Sequence, residues 1–222
     1  VLPALRQGYG AAPPAEERLP ALAVVREALS HRSFVLLVLG FATCGFQLAF
    51  IQFHLAAWMA DVGHPASLAA WALGVIGLAN IAGSYFAAPL AQRIGCKHYL
   101  ATMYAARSAL LVLLLAFPRS PAVVMAACAG LGFLWLAAAP TTSALVMTLF
   151  GVRRMPVLFG VTFLSHQVGA FLGVWMGGVA WQGGGSYDAI WLACAALGLL
   201  AAALHLPIRE APVRTRALPA TG

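Results

Sequence analysis

Charged side chains are scarce along this chain, and their scarcity excludes most classes of soluble protein. Only 9% of the 222 residues are Asp, Glu, Lys or Arg, whereas soluble domains average about 25%. Hydrophobic residues make up 62%, and the mean hydropathy is +0.89. So little charge cannot cover the surface of a water-soluble fold. The composition therefore predicts a protein that crosses the membrane several times, with the lipid bilayer as a partner.

Cysteines are also few, and their spacing excludes a disulfide framework and a zinc site. Cys44, Cys128 and Cys194 lie in apolar runs, and Cys96 lies in a short basic stretch, so no CxxC pair or metal-binding spacing occurs. The sequence also lacks a phosphate-binding loop, a pair of carboxylates and a nucleophile–base motif. We therefore expect no metal, no cofactor and no enzymatic activity. An intramembrane enzyme remains the alternative with no catalytic group to support it.

Long apolar runs take the place of charge, and six of them follow one another. A run of about 18 residues or more can cross the ~30 Å hydrocarbon core as a helix. None shows the alternation of a strand, and backbone groups in lipid are satisfied only in helices or closed barrels. The fold class predicted is therefore an all-α membrane protein with six transmembrane helices. Their predicted boundaries are 34–58, 67–91, 99–117, 122–140 with an extension to 150, 157–181 and 189–208.

The segments that flank the runs have a different character. Residues 1–33 begin with a stretch rich in Pro, Gly and Ala, which predicts a flexible linker. Within them, residues 21–32 are amphipathic, with Leu22, Val25 and Leu29 on one side, and predict a short helix on the membrane surface. Residues 34–208 form the predicted transmembrane domain, and residues 209–222 form a tail. The chain begins with Val rather than Met, which suggests a fragment or a cleaved chain.

The basic residues predict the topology. A net charge of +7 would suggest nucleic-acid binding in a soluble protein, but here the charges lie between the apolar runs, where they set orientation. With the N-terminus in the cytoplasm, 11 of the 13 basic residues fall on the cytoplasmic side; Arg119 is outside and Arg107 is within a span. We therefore expect a multi-pass protein of the inner cell membrane with both ends in the cytoplasm and no nucleic-acid partner.

Polar residues inside the runs are the candidate substrate-binding residues. They are Arg107, His166, Gln167, Asn80 and Gln47. Arg107 lies near the middle of the third run, where a charge costs at least ~2.5–3.5 kcal/mol. Either a solute or helix carbonyls and polar neighbours must compensate it. His166 and Gln167 lie near the midplane of the fifth run, where they contact solute, take up a proton or form an interhelical hydrogen bond.

The remaining polar candidates have equally open interpretations. Asn80 lies between Gly77 and Gly83, which suits contact between helices as well as contact with solute. Gln47 lies on the first span. Trp135, on the fourth span, is either a core residue or a ligand contact. No Asp or Glu lies inside any run, so a cavity that contains Arg107 and His166 favours an anionic solute over a cation.

Two patterns predict how the spans are shaped and packed. Gly169, Gly173 and Gly177 recur at four-residue steps in the stretch 158–181 and share one helix face, which predicts close packing with a neighbouring helix. Pro140 in the fourth span is followed by Thr141, Thr142 and Ser143. It predicts a kink whose freed carbonyls are compensated by these hydroxyls.

One stretch and three further segments resemble the major facilitator superfamily of transporters. Residues 88–97, APLAQRIGCK, are similar to the family loop G-x-L-a-D-R-x-G-R-K. The matching positions are Leu90, Ala91, Arg93, Gly95 and Lys97; Ala88 replaces the Gly, Gln92 the Asp and Cys96 an Arg. Residues 44–55, 77–85 and 158–173 resemble bacterial members near the monocarboxylate and oxalate/formate branch.

The resemblance implies a fold and a function. Six spans with both ends on one side are similar to the C-terminal half of a twelve-helix transporter, which pairs with an N-terminal six-helix half. In that family the first and fourth spans of this half line the cavity, the second and fifth flank it, and the third, with Arg107, is peripheral. The implied function is secondary active transport of a small organic solute, an anion such as a monocarboxylate. The alternatives are a six-helix protein that pairs with another subunit and a non-transporting receptor or scaffold.

Overall fold

Helices joined by short turns make up the structure, a computed structural model that describes residues 20–213, and no strand occurs in that range. In chain order the helices are α1 (Ala21–Leu29), α2 (Arg32–Asp61), α3 (Ala66–Ile94), α4 (Cys96–Ala116), α5 (Pro121–Phe133), α6 (Ala138–Phe150), α7 (Met155–Gly184) and α8 (Asp188–His205). The predicted linker at residues 1–19 and the tail beyond residue 213 lie outside the described residues.

Six segments within the described residues are long and apolar enough to cross a membrane. They are α2, α3, α4, the pair α5 and α6, α7 and α8. The predicted fold class is confirmed. Most helices extend beyond the predicted runs, because the turns between them need only a few residues.

The turn between α3 and α4 differs from the prediction. The sequence suggests a loop at residues 92–98, but α3 continues to Ile94 and α4 begins at Cys96. Gly95 alone reverses the chain, with a φ of +88° that glycine adopts at little cost. The carboxylate of Glu210 accepts a hydrogen bond from the backbone N–H of Lys97, where the α4 dipole favours a negative charge. Cys96 is therefore a helix residue and not a loop residue.

The α2–α7 pair has the most extensive contact in the bundle. The three glycines at four-residue steps are buried in it. A Cβ on Gly169 would overlap the carbonyl oxygen of Ala42, and one on Gly173 would overlap that of Phe46. Backbone meets backbone along this seam, as small residues permit in membrane helices. The predicted packing role of the glycines is confirmed.

Helix α1 lies against the same pair at the end of the bundle that holds both ends of the described chain. Val24 and Ala28 face the bundle and are buried. An ion pair of 2.8 Å joins Glu27 to Arg154 at the start of α7. Leu22 and Leu29 remain 80% and 48% exposed. The predicted amphipathic helix is present, and its free apolar side suits a membrane surface.

Burial differs sharply among the spans. In the most apolar window of α2, 61% of the residues are buried, against 22% in α3 and 22% in α7. Since α3 and α7 keep most of their apolar side chains uncovered by this chain, they form the faces on which lipid or another protein segment must lie.

Candidate functional site

The fourth span is broken in its middle. Helix α5 ends at Phe133 and α6 begins at Ala138, and we call the intervening residues 134–137 the joint. Pro140 lies in the first turn of α6, where its missing N–H costs no helical hydrogen bond. In a continuous helix its ring would clash with the carbonyl four residues earlier, inside the joint. The predicted kink is therefore a full break just before Pro140. Of the predicted hydroxyl contacts, Thr141 donates a hydrogen bond of 2.9 Å to the carbonyl of Ala137, whereas the buried Thr142 hydroxyl has no partner within the described residues.

Arg107 holds the joint from α4. Its guanidinium donates hydrogen bonds to the carbonyl oxygens of Leu134 and Trp135, at 2.5 and 2.6 Å, and the side chain is only 2% exposed. These carbonyls follow the C-terminal end of α5, where the helix dipole favours a cation. Another nitrogen lies 3.3 Å from the sulfur of Cys44 on α2. Of the two interpretations of Arg107, this geometry supports the compensation of helix carbonyls.

Asn80 holds the joint from α3. Its side-chain oxygen accepts a hydrogen bond of 3.2 Å from the backbone N–H of Leu136 and lies 3.5 Å from the hydroxyl of Ser84. The joint therefore has a donor on one side and an acceptor on the other, each from a different span. Both types of backbone group freed by the break find partners, which an apolar environment requires.

A cavity of about 400 Å³ opens beside the joint. Its lining residues are Gln52, Leu73, Ile76, Gly77, Asn80 and Trp135. Trp135 belongs both to the cavity wall and to the joint, so a displacement of the joint changes the shape of the cavity. Gln52 is the polar lining residue that the sequence analysis missed. The available signal was a second amide within the apolar first run.

Gln47 lies outside this cavity. It is completely buried, and its amide nitrogen donates a hydrogen bond of 2.7 Å to the carbonyl oxygen of Cys194 on α8. The side-chain oxygen has no partner within the described residues. Gln47 and Gln52 are five residues apart on α2, a rotation of about 140° on a helix with 3.6 residues per turn. One faces α8 and the other faces the cavity, so Gln47 packs helices together.

His166 and Gln167 lie on α7, away from the lining of this cavity. The Nδ1 of His166 is 3.1 Å from the Gln167 side-chain oxygen, and Gln167 is exposed. The imidazole packs on Phe41, with 4.9 Å between ring centroids, and interacts with the thiol of Cys44. Because Cys44 also contacts Arg107, the two predicted positive groups are neighbours through a cysteine of α2.

Tyr104 and His205 form a further buried polar group next to Arg107, and the sequence analysis did not single them out. The Tyr104 ring is 5.9 Å from the Arg107 guanidinium and 5.1 Å from the His205 ring. The Nδ1 of His205 is 2.7 Å from the carbonyl of Ala201. Tyr104 precedes Arg107 by one helical turn, which was the available signal. Within residues 20–213, no three His, Cys, Asp or Glu side chains gather as metal ligands would.

A profile of the Major Facilitator Superfamily matches residues 22–222. The chain belongs to this superfamily. The E. coli fucose:proton symporter has a similar fold, with a TM-score of 0.68 and 17% identity over 91% of this chain. This chain spans about half of the symporter, 51% of its length. No curated protein matches the sequence.

Membership of the superfamily makes this a multi-pass membrane protein built as half of a twelve-helix fold. At 17% identity the similarity to the symporter extends to the fold alone. The narrower resemblance to the monocarboxylate and oxalate/formate branch stays a prediction.

Proposed function

We propose that this chain is the C-terminal six-helix half of a secondary transporter that moves a small organic solute by alternating access. The observation that carries the proposal is the joint beside the cavity. Irregular backbone at membrane depth persists where it is buried in protein or lines a cavity, and transporter sites often lie at such broken helices. Arg107 and Asn80 keep the broken backbone satisfied while Trp135 faces the solute space.

The solute contacts we propose are Gln52, Asn80 and Trp135. The two amides offer donors and acceptors, and the indole offers an apolar face with one donor. Arg107 acts behind them and does not touch solute in this conformation. Within residues 20–213, it is the only Asp, Glu, Lys or Arg in the interior of a membrane-spanning helix. Its positive charge lies just behind the carbonyls of Leu134 and Trp135, so we propose that an anion, such as a small carboxylate, is preferred over a cation.

His166 is the titratable group we propose for proton coupling. Its ordinary pKa of about 6.5 lies in the physiological range, and it is linked to the joint through Cys44 and Arg107. Gln167, its neighbour, is proposed as a contact of the partner half, because it is exposed on the α7 face that this chain leaves uncovered.

The partner we propose for the uncovered faces of α3 and α7 is an N-terminal six-helix half. A solute pathway needs a facing wall, and these two spans have the least burial within this chain. The half either precedes this sequence in one polypeptide or is a separate subunit. Residues 1–222 reconstituted alone should show no saturable uptake, and addition of the second half should restore it.

We propose that the protein lies in the inner cell membrane. The end of the bundle with α1 and the α3–α4 turn then faces the cytoplasm. Cys96 lies at that end and is half-buried, whereas Cys44, Cys128 and Cys194 are buried. A membrane-impermeant maleimide should therefore label Cys96 in inside-out vesicles and spare it in intact cells. Efficient labelling of Cys96 from outside intact cells would show that the orientation is the opposite of the one proposed.

The two glutamines of α2 provide the test of the solute site. In the polypeptides that together contain all twelve helices, Gln52→Leu should raise the KM for uptake about tenfold, the effect of one lost hydrogen bond near 1.4 kcal/mol. Gln47→Met, on the same helix but outside the cavity, should leave KM unchanged. Competition by small carboxylates, neutral sugars and amines identifies the solute class. An equal change in KM for both substitutions would show that the solute does not bind in this cavity. Absence of saturable uptake at normal surface abundance would favour the scaffold alternative.

A further inference from the structure

Charge is distributed unequally between the two ends of the bundle. Within residues 20–213, seven basic residues lie at the end that holds α1 and the C-terminal segment: Arg26, Arg32, Arg93, Lys97, Arg153, Arg154 and Arg209. The opposite end has Arg119 together with Asp61 and Asp188. An excess of this size attracts anionic lipid headgroups, at about 1 kcal/mol per basic residue near the surface.

A cavity of about 720 Å³ lies at this basic end. It is lined by His31, Arg32, Ser33, Pro207, Arg209, Ala211, Pro212 and Val213. The backbone N–H of Arg209 donates to the Ser33 hydroxyl at 3.2 Å, which fixes the C-terminal segment against the first turn of α2 and brings Arg209 close to Arg32. His31 is anchored by the ring of Phe150, with 5.9 Å between centroids.

The two arginines of this cavity have no acidic partner within residues 20–213. Two acids lie at this end within the described range: Glu27 pairs with Arg154, and Glu210 accepts a hydrogen bond from the Lys97 backbone N–H. The N-terminus of α2, which adds partial positive charge, has no side-chain cap among the described residues. Arg32, Arg209, His31 and the N-terminus of α2 therefore border one open space, and no ion pair among residues 20–213 neutralises the two arginines.

Apolar surface next to the cavity distinguishes a lipid from a free anion. Leu206, which immediately precedes the lining segment, is 54% exposed, and Leu22 and Leu29 of α1 are 80% and 48% exposed. Exposed leucines beside a basic cavity at the end of a transmembrane bundle mark the level where acyl chains meet headgroups. Arginine forks match phosphate oxygens in a bidentate manner.

We propose that this cavity binds the phosphodiester headgroup of an anionic phospholipid, with Arg32 and Arg209 as its main ligands and His31 beside them. The lipid would fasten the C-terminal segment to α2 and set the height of α1 on the membrane surface. The site is separate from the solute cavity, which lies beside the joint in the middle of the bundle.

The test compares lipid retention by variants of the full chain in detergent micelles. Native mass spectrometry should show phosphatidylglycerol bound in preference to phosphatidylcholine. The double substitution Arg32→Gln with Arg209→Gln should reduce the affinity for phosphatidylglycerol about 30-fold, the equivalent of about 1 kcal/mol per arginine. A variant with Lys at both positions keeps the positive charge and shows whether substitution as such disrupts the site. This variant should retain more than half of the bound lipid.

The matched control is Arg26→Gln with Arg93→Gln, which removes the same charge from the same end but from residues outside the cavity lining. It should retain the bound phosphatidylglycerol. Equal losses of bound phosphatidylglycerol in the two double variants would show that general surface charge binds the lipid, and would contradict a specific site. Competition by inorganic phosphate at millimolar concentration would show that the cavity takes a free anion, and equal retention of phosphatidylglycerol and phosphatidylcholine would remove the headgroup preference; either result overturns the proposal.

Discussion

The α2–α7 seam and the joint of the fourth span solve opposite problems in the same bundle. Along the seam, glycines of α7 bring two continuous helices into backbone contact. Two side chains add hydrogen bonds across it, from Ser165 to the carbonyl of Val38 and from His54 to that of Val174. At the joint, a helix is interrupted, and Arg107 and Asn80 from two other spans satisfy the freed backbone. The seam is stabilised mainly by close packing of two continuous helices, and the joint mainly by a few directional bonds. The seam should therefore behave as a rigid unit, whereas movement is easiest at the joint.

The largest effect should come from filling the seam. Gly169→Leu would force a side chain into the space of the Ala42 carbonyl and should prevent the chain from folding. Overpacking typically costs about 1–3 kcal/mol, and here the clash is with backbone that side-chain rearrangement cannot relieve. Gly178→Leu, on the same helix with nothing within 4 Å of a Cβ, is the control and should be neutral. Size-exclusion profiles and thermal unfolding in detergent decide it. A well-folded Gly169→Leu protein would show that the seam tolerates separation.

The next largest effect should come from the cation at the joint. Arg107→Gln loses the charge and at least one of two bonds to carbonyls, and should lower the free energy of unfolding by about 2–3 kcal/mol. Arg107→Lys should recover only part, since a single ammonium replaces a planar fork. Thermal unfolding measures both, with Arg93→Gln as the exposed control. Unchanged stability of the Arg107→Gln variant would show that the guanidinium is not needed to hold the joint, and would favour direct contact with solute.

Loss of the acceptor at the joint should have a smaller effect. Asn80→Ala leaves the N–H of Leu136 without a partner and should cost about 1 kcal/mol. Asn80→Asp keeps an acceptor, and Ser84→Ala, which removes a neighbour of Asn80, serves as the control. If Asn80 and Arg107 hold one joint, the double variant should deviate from additivity by at least about 0.5 kcal/mol. If the stability losses of the two single variants are fully additive in thermal unfolding, the two residues act independently.

The smallest effect should come from Gln47. Gln47→Met preserves the length of the side chain and removes a buried oxygen that has no partner within the described residues. The lost bond to Cys194 and the relieved burial of a polar atom should nearly cancel, with a change below about 1 kcal/mol. The same thermal assay applies. A loss comparable to that of Arg107→Gln would make the α2–α8 contact as demanding as the joint.

The sequence predicts the seam far better than the joint, for a physical reason. Glycines four residues apart share a face in any helix, so Gly169 and Gly173 reveal close packing without knowledge of the partner. Pro140 likewise predicts a disturbance in the fourth span. The residues that hold the joint lie in other spans, with Arg107 and Leu134 27 positions apart and Asn80 and Leu136 56 apart. No local pattern encodes which polar side chain reaches which carbonyl.

The two amides of α2 show the same limit. Helical geometry places Gln47 and Gln52 on different sides, but α2 is apolar around most of its circumference. The sequence therefore cannot indicate which side faces α8 and which faces the cavity. The arrangement of the neighbouring helices decides it. That is why Gln47 was an expected substrate contact and Gln52 was overlooked.

The bond between Glu210 and Lys97 has a consequence for the order of synthesis. Glu210 follows Lys97 by 113 residues, so the first turn of α4 obtains its carboxylate only after all six spans have been made. Until then the turn at Gly95 lacks this carboxylate. Closure of this contact is thus a late event in biogenesis, and a ribosome stalled before residue 210 would leave a bundle whose α3–α4 hairpin is still unsecured.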